Sequence, residues 1–179
     1  MAKRPLPPIC TERLRLRLLE ERDLPLTLAW RNQDHIRKWF LFSERITPEQ
    51  HRAWHEKYRG QDNDFVFVIE RRSADSQPVG QLSIYHIDWD RHTGEFGRLM
   101  IGEASATGKG LAREATAAAV SHALNHWVKE LHLRVRKNNL AAIAIYSSCG
   151  FKPVEERDDL LLMSTCEPGF NIARFFPPS

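Results

Sequence analysis

The sequence predicts an α/β domain with a single mixed β-sheet and helices on both of its faces. Three observations carry that expectation. Short runs with strand character recur along the chain, among them LRLRL at 14–18, FVFVIE at 65–70 and LHLRVR at 131–136. Between 111 and 127, Leu111, Ala115, Ala119, Ala123 and Trp127 return every four residues, the spacing of one helix face. The two patterns also interleave, in the order β-α-α-β-β-β-α-β-α-β-β, and do not separate into all-helical and all-strand blocks.

Taken in order, the first strand puts Leu14, Leu16 and Leu18 on one face and Arg13, Arg15 and Arg17 on the other, which reads as a solvated face. Asp23 stands where a helix running to Asn32 needs its cap, with Pro25 tolerated in the first turn. A second helix opens at Thr47-Pro48-Glu49-Gln50, where Thr47 caps and Gln50 closes a capping box. FVFVIE, VGQLSIYHI and EFGRLMIG, separated by the turns RRSADSQP and DWDRHTG, form a meander of three strands. The helix from 111 leads into LHLRVR, Asn138 or Asn139 caps a short helix at 140–149, and Gly150 stops it. Strands at 151–154 and 160–166 complete the sheet, and the ends at 1–10 and 168–179 read as loose termini around a domain at 11–167.

At 179 residues, with 42% hydrophobic and 27% charged residues, the chain suits one globular domain with a real core. Nothing approaches the roughly 18 apolar residues of a membrane span, and MAKRPLPPIC lacks the apolar centre of a secretory signal, so a cytoplasmic protein without a membrane partner is expected. Cys10, Cys149 and Cys166 are few and lack metal spacing. The net charge of +3 is spread along the chain and suits an anionic cofactor or substrate as well as it suits nucleic acid; the Arg13, Arg15 and Arg17 face reads as solvated, so no nucleic-acid partner is expected. The pairs His51/His55 and His122/His126 have helical i, i+4 spacing, but no third ligand is positioned and no metal is expected.

GEASATGKGLARE, at 102–114, resembles a nucleoside-triphosphate loop and fails its requirements. Gly102 lies six positions before Gly108, and Gly110 stands where a hydroxyl must reach Mg²⁺. What remains is a glycine-rich entry into a helix N-terminus, where unpaired N–H groups and the helix dipole favour an anion.

Two motifs then resemble the GNAT superfamily of acyl-CoA-dependent N-acetyltransferases. One is [Q/R]-x-x-G-x-[G/A], met by Ser105-Ala106-Thr107-Gly108-Lys109-Gly110 and running into Leu111-Ala112, with Ser105 in place of the usual Gln or Arg. The other is V-x-x-x-N-x-x-A-x-x-x-Y-x-x-x-G-F, met without a gap by Val135, Asn139, Ala142, Tyr146, Gly150 and Phe151. The resemblance spans Thr11 to Thr165 and implies a sheet splayed between the fourth and fifth strands. It implies acetyl-CoA as co-substrate, with its pyrophosphate at the Gly108/Gly110 helix entry, Lys109 at the rim and the pantetheine arm along Leu99, Met100 and Ile101. It places Asn139 against the arm or the phosphates, Tyr146 as acid for the leaving thiolate, and a backbone N–H near Met100 or Ile101 at the oxyanion. Glu95, with His86 as its cross-strand neighbour, is the candidate base.

For the acceptor, the segments Ala29-Trp30-Arg31-Asn32, Ile36-Arg37-Lys38-Trp39 and Ile46 to Trp54 resemble the branch that acetylates UDP-linked 4-amino sugars on the way to pseudaminic acid. That likeness implies a nucleotide-linked sugar amine as the small-molecule partner, with Trp30, Arg31, Asn32, Trp39, His51 and Trp54 as binding residues. Arg31, Arg37 and Lys38 are suited to a diphosphate. A protein N-terminus, another small amine and a non-catalytic CoA-binding module stay open as alternatives, as does a homodimer.

Overall fold

The computed structural model describes residues 3, 5–73 and 75–165. Its strands are β1 (Ile9–Cys10), β2 (Leu14–Leu18), β3 (Phe65–Arg71), β4 (Pro78–Asp88), β5 (Thr93–Ile101), β6 (Glu130–Arg136), β7 (Lys152–Arg157) and β8 (Leu160–Ser164). The helices are α1 (Leu24–Arg31), α2 (Asp34–Arg37), α3 (Pro48–Arg59), α4 (Leu111–His126) and α5 (Leu140–Ser148). One mixed sheet runs in the order β1-β2-β3-β4-β5-β6-β8-β7, and its β5–β6 pair is parallel. The α/β architecture expected from the sequence is the one observed. The expected fourth and fifth strands are β5 and β6, because β1 adds a strand ahead of them.

β3 explains why helices cover both faces. Phe65, Phe67 and Ile69 alternate with Val66 and Val68, and all are buried. The first set joins a core with Leu111, Ala115, Ala119 and Ala123 of α4; the second packs with Tyr58 and Trp54 of α3. A strand sandwiched in this way reads as a continuous apolar run. Among the described residues no helix is long and apolar enough to cross a membrane.

Local caps behave as the sequence implies where their partners are local. The Thr47 hydroxyl accepts from the Gln50 N–H at 3.2 Å, and Asn139 accepts from the Ala142 N–H at 3.2 Å. Gly150, at φ +96°, follows α5. Three expectations need correction. Ile9 and Cys10, expected in a loose terminus, pair with Leu16 and Arg15. Arg17 is not solvated: its guanidinium is buried, 2.7 Å from both Asp23 and Glu70. Asp23 therefore gives its carboxylate to Arg17 and the Glu20 N–H and makes no side-chain bond to the start of α1. The segment at 168–179 and Cys166 lie outside the described residues.

Candidate active site

β5 pairs with β6 from Thr93 to Glu95 and then leaves it, so the backbone from Phe96 to Ile101 faces an open gap. A bulge sharpens the departure: Gln81 of β4 opposes Met100 and Ser83 opposes Gly97, which leaves one extra residue on β5, and Arg98 takes φ +52°. The Gly102 N–H bonds to the Val79 carbonyl. By strand alternation the Met100 N–H also points to β4, and the Ile101 N–H points away from it, into the gap. Of the two backbone donors expected there, Ile101 has the required direction.

The gap opens into a cavity of about 480 Å³ bordered by β5, β6 and α5. Leu99, Met100, Ile101, Thr107, Asn139 and Tyr146, all expected at the cofactor, line it. Tyr146 is 9% exposed, its ring edge-on to Phe96 at 5.8 Å and to Phe151 at 6.1 Å. Burial alone pushes its phenol well above the ordinary tyrosine range, so it holds its proton. Asn139 uses its side-chain oxygen as the α5 cap, which leaves the amide NH₂ free to donate elsewhere.

The loop before α4 is built for the N–H groups at a helix start. Gly108 and Gly110 have φ +73° and +74°, a conformation costly for residues with a Cβ, and α4 begins at Leu111. Arg71 donates to the Ser105 carbonyl at 2.9 Å and Arg13 to that of Lys109 at 3.0 Å, tying the loop to the sheet. Glu103 points back and accepts from the Trp30 indole at 2.8 Å, so its charge does not occupy the helix entry. Ala106 and Leu111 are core residues and Ala112 is half-buried, so these positions offer backbone only; Ser105, Lys109 and both glycines are exposed.

Glu95 is buried at the start of the gap. Tyr85 donates to it at 2.7 Å, Arg134 at 2.9 Å and the His86 Nδ1 lies 3.0 Å away. Burial would raise its pKa, but the His86, Arg134 and Tyr85 contacts outweigh burial and hold it at about 2. A carboxylate of that acidity is a poor proton acceptor from an alkylammonium near ~10. Glu95, the expected base, is thus a buried carboxylate that orients Tyr85, His86 and Arg134 around it. His86 is the expected cross-strand partner, with an exposed ring. Tyr85 and Arg134 were not anticipated, although Tyr85 lies opposite Glu95 in the β4–β5 register and Arg134 shares the polar alternation of LHLRVR.

A second cavity, of about 360 Å³, lies beside α3. His51 and Trp54, stacked with ring centres 5.2 Å apart, line it with Gln50 and Gln81, and Arg31, Phe40, Phe42 and Arg98 border both cavities. Phe40 and Phe42 come from an irregular loop with no periodicity to reveal them. Three expected acceptor contacts are placed elsewhere. Trp30 is 1% exposed and packs on Gly102, where a Cβ would come within 2.0 Å of the indole. Asn32 clamps Ile46, donating to its carbonyl at 2.8 Å and accepting from its N–H at 2.9 Å. Trp39 lines the first cavity and not the second, with the Lys38 ammonium 4.9 Å above its ring, while Arg37 pairs with Asp34 at 2.8 Å. Among the described residues no group of three or more His, Cys, Asp or Glu side chains is arranged to hold a metal; His51 faces the second cavity and His55 is buried against Tyr58.

A family model for an acetyltransferase (GNAT) domain matches residues 13–152. An uncharacterised protein of Methanocaldococcus jannaschii is 27% identical over 143 residues, which are 79% of this chain; the chain spans about 28% of that curated relative's length. A solved domain from the same organism superposes with a TM-score of 0.74 at 25% identity, covering 84% of this chain and 96% of that one. Spermidine N-acetyltransferase from Vibrio cholerae, solved with CoA and spermine, superposes with a TM-score of 0.76 at 24% identity, covering 86% and 95%. At that identity the likeness is one of fold.

Proposed function

The chain belongs to the GNAT acetyltransferase family, and from that premise we propose that it transfers an acetyl group from acetyl-CoA to a primary amine by direct attack. The observation that carries the proposal is the open edge of β5 facing Tyr146 and Asn139 across one cavity. Acetyl-CoA supplies an acyl thioester, and the residues around the cavity fit its parts. The unpaired β5 backbone suits an extended amide chain, and the Gly108–Gly110 helix entry suits a pyrophosphate.

The Ile101 N–H donates to the oxyanion formed when the amine attacks. Tyr146 gives its proton to the departing thiolate; the burial that keeps the phenol protonated also desolvates the thiolate and raises its proton affinity. Glu95 holds the His86 Nδ1–H, which leaves the other nitrogen of an exposed ring to pass the amine's proton to water. The acceptor enters from the second cavity. The amine we favour there is that of a nucleotide-linked 4-amino sugar, because Trp54, His51 and Arg31 combine a stacking ring with cationic and polar groups. A non-catalytic CoA-binding module is disfavoured by the placement of Tyr146 at the gap.

The test is thiol release from acetyl-CoA driven by added amine. Tyr146→Phe is expected to lower kcat by about 10²–10⁴-fold with CoA affinity unchanged. Wild-type turnover in that variant would remove Tyr146 from the mechanism, and absence of amine-dependent thiol release in the wild type would overturn the reading.

A further inference from the structure

Where β5 leaves β6, its backbone is held from the other side by a chain of polar contacts. Arg98 stands at the bulge in a positive-φ conformation that strains a residue with a Cβ, so contacts outside the strand must hold it there. Its Nη1 donates to both carboxylate oxygens of Asp64, at 2.9 and 3.0 Å. Asp64 is 5% exposed and directly precedes β3, in the middle of the sheet. The same guanidinium lies over the Tyr85 ring, 4.2 Å from its centre. That ring rests on Gly97, where a Cβ would come within 3.1 Å of the hydroxyl oxygen, and its O–H donates to Glu95 at 2.7 Å. Burial, and then the charge of Glu95, push the Tyr85 phenol well above the ordinary tyrosine range, so the donor keeps its proton. Glu95 is the last residue of β5 that pairs with β6. Asp64, Arg98, Tyr85 and Glu95 therefore form one connected brace, from the head of β3 to the point where the sheet opens.

We propose that Arg98 is a positioning residue for the acetyl transfer: braced between Asp64 and Tyr85, it fixes the bulge of β5 and through it the direction of the Ile101 N–H. The inference rests on the acetyltransferase reading and deepens it by naming what holds the oxyanion donor in place. Register is the physical reason. The bulge sets one extra residue on β5, and strand alternation reverses with every residue. Loss of the bulge would turn the Ile101 N–H towards β4 and put the Met100 N–H in the gap. Arg98 borders both cavities, yet Asp64 already matches its charge, which suits a brace better than a cation waiting for a ligand. Because Asp64 is buried, removing either partner leaves the other without its counter-charge, so the two act as a unit.

The test is difference infrared spectroscopy of acetyl-CoA, isotope-labelled at the thioester carbonyl, bound to the full chain without amine. An aimed N–H donor polarises that carbonyl and lowers its stretching frequency. The wild type is expected to show the lowered band. Arg98→Met and Asp64→Asn are each expected to lose it with CoA affinity unchanged in a calorimetric titration, and Arg98→Lys to recover it in part. With amine present, each of the first two is expected to lower kcat about 10²-fold with KM for acetyl-CoA unchanged, and the double variant to be no worse than either. Should Arg98→Met fail to fold, Asp64→Asn, which keeps the side chain's shape and loses its charge, carries the test. A wild type without the lowered band, variants that keep it, or variants that lose CoA affinity with it would overturn the brace. So would full activity in Asp64→Asn, the result expected of a guanidinium that acts on the substrate directly. The spectrum needs no turnover, so a wild type that polarises the thioester yet releases no thiol with any amine refutes the amine-transfer reading and leaves the brace standing.

Discussion

Glu95 shows how residue identity and residue role part company. Its position at the head of β5 was legible in Glu95-Phe96-Gly97, but its chemistry is decided by Tyr85, His86 and Arg134, which come from β4 and β6. Those donors depress its folded-state pKa to about 2, against about 4.3 in an unfolded chain. For a depressed carboxylate the stabilisation is complete above the unfolded value and is lost as pH falls through the folded one. Denaturation measured between pH 5 and pH 2 is therefore expected to show stability falling across that window in the wild type, with this part of the slope missing in Glu95→Gln. An unchanged slope in the variant would mean that Glu95 is not held ionised. Trp30 makes the converse point. An aromatic residue beside an arginine suggests stacking on a ligand, yet Gly102 lies against its indole and Glu103 takes its N–H. Both neighbours are about 70 residues away in the chain, beyond what any local pattern encodes.

Elements were legible where their signals are local. Thr47-Pro48-Glu49-Gln50 contains its own cap and the capping box forms, whereas Asp23 loses its capping role to Arg17, a partner set by the tertiary structure. β1 has two residues and α2 four, too short for a period to show. The loop into α4 is the element on which the proposed grip on the pyrophosphate rests, because its glycines hold positive φ at the helix entry. Gly110→Ala forces a Cβ into φ +74°, at a cost of about 1–2 kcal/mol, and turns the N–H groups away. It is expected to weaken CoA binding about tenfold in a fluorescence or calorimetric titration, with the helical circular-dichroism signal retained. Undiminished CoA affinity in that variant would take the pyrophosphate away from this helix entry.

At the scale of the whole molecule, one topological decision creates the site: β5 and β6 run parallel for three residue pairs and then part, so a single sheet carries an unpaired internal edge. The opening of the sheet was expected from the family resemblance carried by the two motifs on either side of β6, each of which is contained within a short segment of the chain. The acceptor side was not legible to the same degree. The second cavity, proposed for it, is assembled from α1, α3, β4, the bulge of β5 and an irregular loop, which no local pattern brings together. The proposed acetyl transfer from a CoA thioester across the β5–β6 gap to the amine of a nucleotide-linked sugar is tested most directly by competition. The full chain is given acetyl-CoA with an equimolar mixture of a UDP-linked 4-amino sugar, spermidine and a peptide with a free N-terminus, and the products are read by mass spectrometry against free thiol. The account predicts acetyl on the nucleotide-sugar amine, one for each thiol released. Acetyl on spermidine or the peptide in preference, or on none of the three, would contradict it.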